Sequence, residues 1–386
     1  MIRLIDFQCK IEKHNTHEIY SPQVLGFNII DSLPLTNAPS CTIKIASKKK
    51  INDVTAVSQV EFDDIIRLQA SIRFNVLEKH VWVDIFEGRV QNISKEFSTK
   101  TDIEFSCVGH IAAAFDALIK DDRTYTGLDA KDILASLTTA YTTKLVYNSN
   151  YVETGLNVTQ YNSKKEQNFL IDAYQEMEKL SGYKRMIGVK PTYTASGRLQ
   201  TVYLSWKKLP TVPTRQYSVI EGTPRLRSAF FDIVGEDVKN YRYVKGGMDT
   251  EGNQYSGSAI NSDSISKYGS RYVVDIFSWI QTNTLCREIA AGLTEETGEP
   301  YIAGQVTLEG TLDARIGDLV GVMIPSIELS GTEINGNYTV YRVNHVFTGD
   351  DFYTVLDLGR IKKSEYDYMF KNFTQIIKTC YKNQVK

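Results

Sequence analysis

The stretch Val306 to Val322, VTLEGTLDARIGDLVGV, decides how this chain reads. Apolar and polar residues alternate on both sides of Gly310 and Gly317, the pattern of half-buried strands that bend where a glycine allows it. Outward from it the same period continues, in GQVTLEG from Gly304, DLVGVMI from Asp318, YTVYRV from Tyr338 and FYTVLDL from Phe352, with KNYRYV from Lys239 upstream. Residues 226–360 therefore read as a small β-barrel. One helix interrupts it: Thr282 or Asn283 can cap, Leu285, Ile289 and Leu293 face inward, and Gly298 with Pro300 ends it. The glycine-rich, polar stretch from Gly246 to Ser264 reads as a mobile loop.

Residues 1–119 repeat the strand pattern, in TIKIA from Thr42, SIRFNV from Ser71, VWVDIF from Val81 and DIEFSCV from Asp102. Polar turns every ten or so residues make this a first β-barrel domain. At its end the period changes, and Ile111, Phe115, Leu118 and Ile119 share one helical face. Residues 120–225 form an α+β domain between the two barrels. Asp129 can cap a helix bearing Ile133, Leu134 and Leu137, and Ser163 with Glu166 forms a capping box for a second one. That second helix carries Phe169, Leu170, Ala173, Met177 and Leu180 and stops at Gly182. Strands follow on either side of a turn at Ser196-Gly197. The last segment, 361–386, places Tyr366, Met369, Phe370, Phe373, Ile376 and Ile377 at spacings of three and four across a basic background. This is an amphipathic helix whose apolar stripe is a candidate partner-binding surface that docks into a groove on another subunit, the alternative being a helix folded back on its own domain.

Bulk properties bound the function. With 386 residues and 42% apolar side chains, the chain can bury more than one core. The 44 basic and 46 acidic residues nearly cancel, so there is no general pull toward nucleic acid or anionic membrane, and the expected partners are proteins. Tyr (23) and Phe (16) against only 9 Pro suit pleated surfaces. Cys9, Cys41, Cys107, Cys286 and Cys380 are scattered and odd in number, as in a reduced, cytoplasmically made protein. Asp6 interrupts any signal-peptide core, and no apolar run approaches a membrane span.

The usual catalytic patterns are sparse. The sequence has no G-x-S-x-G elbow, no phosphate loop and no dinucleotide fingerprint. His14 and His17, with Cys9, Glu12 and Glu18 nearby, offer ligand types, but Ser21 stands where a second H-E-x-x-H histidine belongs; a polar exposed loop is the simpler reading. Asp121 with Asp122, or Glu295 with Glu296, could supply two acids to a glycosidase, against solvated surface acids. Lys48 to Lys50 reads as a solvated turn. Trp82, Trp206 and Trp279 lie in or beside strand-like runs, which favours core or interface packing over a sugar platform.

Three stretches together resemble the baseplate hub family of phage tails, which includes the late control protein D group and hubs of contractile injection systems. They are IFEGRV from Ile85 with IEFSCVGHI from Ile103; DSISKYGSR from Asp263; and the opening stretch with its two following strands. The resemblance implies a structural subunit of the virion tail baseplate, made in the host bacterial cytoplasm. It implies a ring-shaped homotrimer with two barrels per subunit, joining a sixfold tail tube protein to a threefold central spike protein around an axial channel. Tape measure and baseplate wedge proteins are further expected partners; no cofactor, metal, membrane or nucleic-acid binding beyond lining the channel is expected. A tail-associated cell-wall hydrolase and a host-surface binding tail protein are the alternatives.

Overall fold

The computed structural model describes residues 4–32, 37–46, 60–74, 79–95, 102–163, 168–180, 185–213, 215–218, 226–235, 238–249, 251–277, 282–298, 300–312, 314–323, 328–329, 332–333 and 336–360. In chain order the elements begin with β1 (Leu4–Glu12), β2 (Ile19–Tyr20), β3 (Val24–Ser32), β4 (Ser40–Ala46), β5 (Ile65–Phe74), β6 (Lys79–Lys95) and β7 (Asp102–Gly109). Then come α1 (Ala112–Phe115), β8 (Arg123–Asp129), α2 (Ala130–Tyr141), β9 (Asn157–Ser163), α3 (Leu170–Leu180), β10 (Arg185–Tyr193), β11 (Leu199–Lys208), β12 (Arg215–Ser218) and β13 (Leu226–Val234). They are followed by β14 (Tyr241–Met248), β15 (Gln254–Ile260), α4 (Ser262–Tyr268), β16 (Tyr272–Ile276) and α5 (Asn283–Thr297). The last are β17 (Tyr301–Glu309), β18 (Leu319–Met323), β19 (Glu328–Leu329), β20 (Thr332–Glu333), β21 (Gly336–Phe347) and β22 (Phe352–Arg360). The architecture is mainly β, as its alternating runs imply, and no helix among the described residues is long and apolar enough to cross a membrane.

The chain forms two compact units, one of Met1–Ala229, Val306–Pro325 and Thr339–Asp357, the other of Phe230–Gln305, Ser326–Tyr338 and Leu358 onward. A thirteen-stranded sheet runs in the order β13-β17-β22-β21-β3-β4-β7-β6-β5-β1-β2, with β12 paired to β18 and β18 to β21. Two closed barrels were expected; among the described residues this sheet is open, ending at β13 and β2. The reason lies in one ladder. β21 pairs antiparallel with β3, from Arg342 opposite Ser32 to Phe347 opposite Phe27, so late strands satisfy the backbone groups of an early one. Alternation marks a segment as strand but does not name its partner. Phe7, Phe27, Phe347 and Phe352 cluster beside this ladder, with centroids 4.6 Å apart for Phe7 and Phe347 and 4.9 Å for Phe7 and Phe27. Below them Ile11, Ile43, Ile45, Ile66 and Leu68 are fully buried.

A second core, in the first unit, packs α2 and α3 against β10 and β11, around Leu134, Leu137, Tyr174 and Trp206. Asp129 caps α2 as its position implies: one carboxylate oxygen accepts from the Lys131 amide at 3.0 Å and the other from Gly155 at 2.7 Å. Ser163 does not begin the second helix, and its capping partner Glu166 lies outside the described residues. Ser163 closes β9, paired with Arg123 of β8, and α3 begins at Leu170, where Asp172 reaches back to accept from the Phe169 amide at 2.7 Å. The reciprocal half of a capping box is thus present six residues later. The turn at Ser196-Gly197 joins β10 to β11, and Gly197 takes the left-handed φ of 84° that it requires.

In the second unit a three-stranded sheet runs β15-β14-β16, antiparallel between β14 and β15 and parallel between β14 and β16. The stretch from Gly246 to Ser264 is not a loop. It completes β14, turns at Asp249, forms β15 and starts α4. Asp249 accepts from the amides of Glu251 at 2.9 Å and Asn253 at 2.8 Å, which builds the turn. Its glycines serve packing: a Cβ on Gly257 would lie 2.4 Å from the Arg287 nitrogen, so only glycine lets α5 lie so close to β15. Val244, Phe277, Cys286, Ala290 and Leu293 form the core between that helix and the sheet.

Candidate functional site

The residues singled out for chemistry are dispersed. His17 Nδ1 lies 2.9 Å from Glu12 Oε1, the His14 amide donates to Asp64, and no metal-ligand cluster occurs among the described residues. Glu12 is buried and its other oxygen accepts from the Leu199 amide at 2.7 Å, so it ties β1 to the start of β11. Asp121 accepts from the Tyr141 hydroxyl and, at 2.8 Å, from Arg123, contacts that hold its carboxyl below the usual range. A general acid needs the opposite shift. Glu295 and Glu296 lie on α5, but their side chains fall outside the described residues. Cys9, Cys41, Cys107 and Cys286 are free and buried, and burial pushes the Cys9 thiol up to about 12. None is poised as a thiolate nucleophile. Trp206 is core, Trp82 is partly exposed, and Trp279 lies outside the described residues, as do Lys48 to Lys50.

One polar constellation escaped the sequence reading. Arg67 on β5 donates from Nε and Nη2 to the two carboxylate oxygens of Asp84 on β6, at 2.6 and 2.7 Å, while Gln69 adds a third donor at 2.7 Å. The guanidinium stacks over the Tyr193 ring at 4.0 Å. Glu87, whose carboxyl burial holds above the usual carboxylate range, completes the group. Two acids near one another invite a catalytic reading, but Asp84 is fully engaged and the Tyr193 phenol is pushed up by burial and by Glu87. What this network does is hold the β10–β11 hairpin against the β5–β6 ribbon. Spacing alone could not reveal it, because Arg67 and Tyr193 meet only through tertiary packing.

The surface that stands out is one face of the β15-β14-β16 sheet. Register places Tyr272, Tyr241 and Ile260 in one row across the three strands, and Val274, Tyr243 and Ser258 in the next. Tyr272 is 66% exposed, Val274 56%, Ile276 54% and Ile260 54%. The opposite face is closed by α5 and by the Arg242–Asp275 ion pair. Contiguous exposed aromatic and β-branched side chains of this kind mark an interaction surface more often than an inert one. The predicted partner-binding residues Tyr366, Met369, Phe370, Phe373, Ile376 and Ile377 lie outside the described residues.

No family model and no curated protein sequence matches the chain. Solved structures do. The 43 kDa tail protein of prophage MuSo2 from Shewanella oneidensis aligns with a TM-score of 0.59 at 12% identity, over 92% of this chain and 97% of its own. Prophage tail protein gp18 from Listeria monocytogenes aligns with a TM-score of 0.57 at 16% identity, over 97% of this chain and 99% of its own. A chain of the Francisella PdpA-VgrG complex gives 0.53 at 11% identity, over 94% of this chain and 59% of its own. This chain accordingly has the fold of these prophage tail proteins along almost its entire length, in keeping with its sequence resemblance to baseplate hubs.

Proposed function

We propose that the chain is a structural, non-enzymatic baseplate hub subunit of a phage or phage-like tail. The observation that carries the reading is end-to-end agreement of fold: the Shewanella and Listeria tail proteins are covered over 97% and 99% of their own chains, so the likeness is to a whole subunit and not to a shared module. In this reading residues 1–119 and 226–360 supply two tube-like parts, 120–225 the α+β insert and 361–386 a C-terminal helix. Three copies form a ring that connects the sixfold tail tube to the threefold central spike and encloses the axial channel. The fold shared with a chain of a PdpA-VgrG complex supports work within a protein assembly, and the near balance of charge supports protein partners over nucleic acid.

The test is oligomeric state with a partner present. Sedimentation and electron microscopy of the purified chain with its cognate spike are expected to give a threefold ring with an open centre. A stable monomer at micromolar concentration in the presence of that spike overturns the reading.

A further inference from the structure

We propose that the C-terminal segment from Ser364 to Cys380 of the same chain forms a helix that covers the exposed face of the β15-β14-β16 sheet, making the second unit a three-layer sandwich. This inference is independent of the tail role. Four observations meet here. First, β14 and β16 are parallel within this mixed sheet, and parallel pairing goes with sheets covered on both faces, whereas among the described residues α5 covers one face. Second, the open face has the composition of a covered one: Tyr241, Tyr243, Tyr272, Val274, Ile276 and Ile260 share it, with Lys245 the one charge that the register puts among them. Third, β16 pairs only with β14 among the described strands, and its outward side chains carry none of the charge or proline that blunts an exposed edge.

The fourth observation names the occupant. The described chain ends at Arg360, and Leu358 onward belongs to the same unit as the sheet. Twenty-six residues follow, and in them Tyr366, Met369, Phe370, Phe373, Ile376, Ile377 and Cys380 fall on one helical stripe. From Tyr366 to Cys380 a helix is about 22 Å long. The outer strands of a three-stranded sheet are about 10 Å apart. One such helix therefore crosses the face with length to spare, and its lysines, Lys371 and Lys378 among them, stay on the solvent side.

Disulfide trapping in the full chain tests this. Val274→Cys is paired in turn with Phe370→Cys, Phe373→Cys and Ile377→Cys, in a Cys380→Ser background; the four described native cysteines are buried and do not compete. The expected result is an intramolecular bond for at least one pair, at monomer mass and independent of protein concentration, with none for Val274→Cys and Lys371→Cys. Bonds only between chains would assign the face to a second copy, and no bond for any pair would leave the tail elsewhere; either result overturns the proposal. Phe370→Asp with Phe373→Asp gives a second readout that leaves the described cores untouched. Hydrogen exchange of the Tyr272–Ile276 amides is expected to rise at least tenfold, and unchanged exchange overturns the proposal.

Discussion

At the scale of single residues, Gly88 and His345 carry the sharpest consequences. Gly88 sits opposite Gly109 on β7, and a Cβ there would lie 2.2 Å from the Val108 carbonyl oxygen, a backbone atom that cannot step aside. Gly88→Ala is expected to cost about 1–3 kcal/mol, read as a lower denaturation midpoint at unchanged secondary structure. His345 is buried with Nδ1 2.9 Å from the Thr354 hydroxyl, and burial pushes its pKa down from 6.5 to about 4. The unfolded chain thus binds a proton that the folded one refuses, so stability present above pH 6.5 is lost as the pH falls toward 4. At pH 5 the loss from this residue is about 2 kcal/mol. His345→Gln removes it: its urea midpoint is expected to fall less than that of the natural chain between pH 7.5 and 5, and equal falls would refute the assignment. His110, buried and also pushed to about 4 by burial and then by Arg89, adds a second loss of the same sign.

At the scale of elements, the hairpin β10–β11 is held by contacts from β1 and β5: Glu12 accepting from the Leu199 amide, and the Arg67 guanidinium over the Tyr193 ring. Arg67→Lys keeps the charge but loses the two-pronged grip on Asp84 and the stacking. A cost of about 1–2 kcal/mol is expected, confined to this joint. Amide exchange should rise in Arg185–Lys208 and stay unchanged in β3 and β4; a uniform rise would mean that the network supports the whole unit. Which elements were legible follows from how local their causes are. Asp129 caps α2 through atoms two residues away, so its signal was readable. Ser163 followed by Glu166 carries the same kind of signal and misleads, because Ser163 is already committed to the β8–β9 ladder. The glycines between Gly246 and Ser264 look like a loop in sequence; Gly257 is there because α5 presses on β15, a contact no local pattern records.

At the scale of the molecule, the β3–β21 ladder and the four-phenylalanine cluster join segments from both ends of the chain. Phe27→Ala, at a residue 4% exposed, is expected to cost about 3–5 kcal/mol and to raise exchange in β3 and β21 together. Loss of protection in β3 alone would show that the late strands hold independently. Truncation after Arg360 is expected to leave a folded protein that loses only the helical circular dichroism of the removed segment, assembles poorly and binds a hydrophobic dye, since the described cores use nothing beyond that residue. Loss of soluble protein would show that the tail is needed for folding. By itself the sequence determined the kinds of element, because alternation, caps and glycine punctuation act over a few residues, and three family-like stretches pointed to the tail architecture. Only the tertiary structure decided that early and late strands share a sheet, that Arg67 meets Tyr193, and that among the described residues one face of the smaller sheet is uncovered. Those are choices of partner, fixed by burial of the whole chain and invisible to any local period.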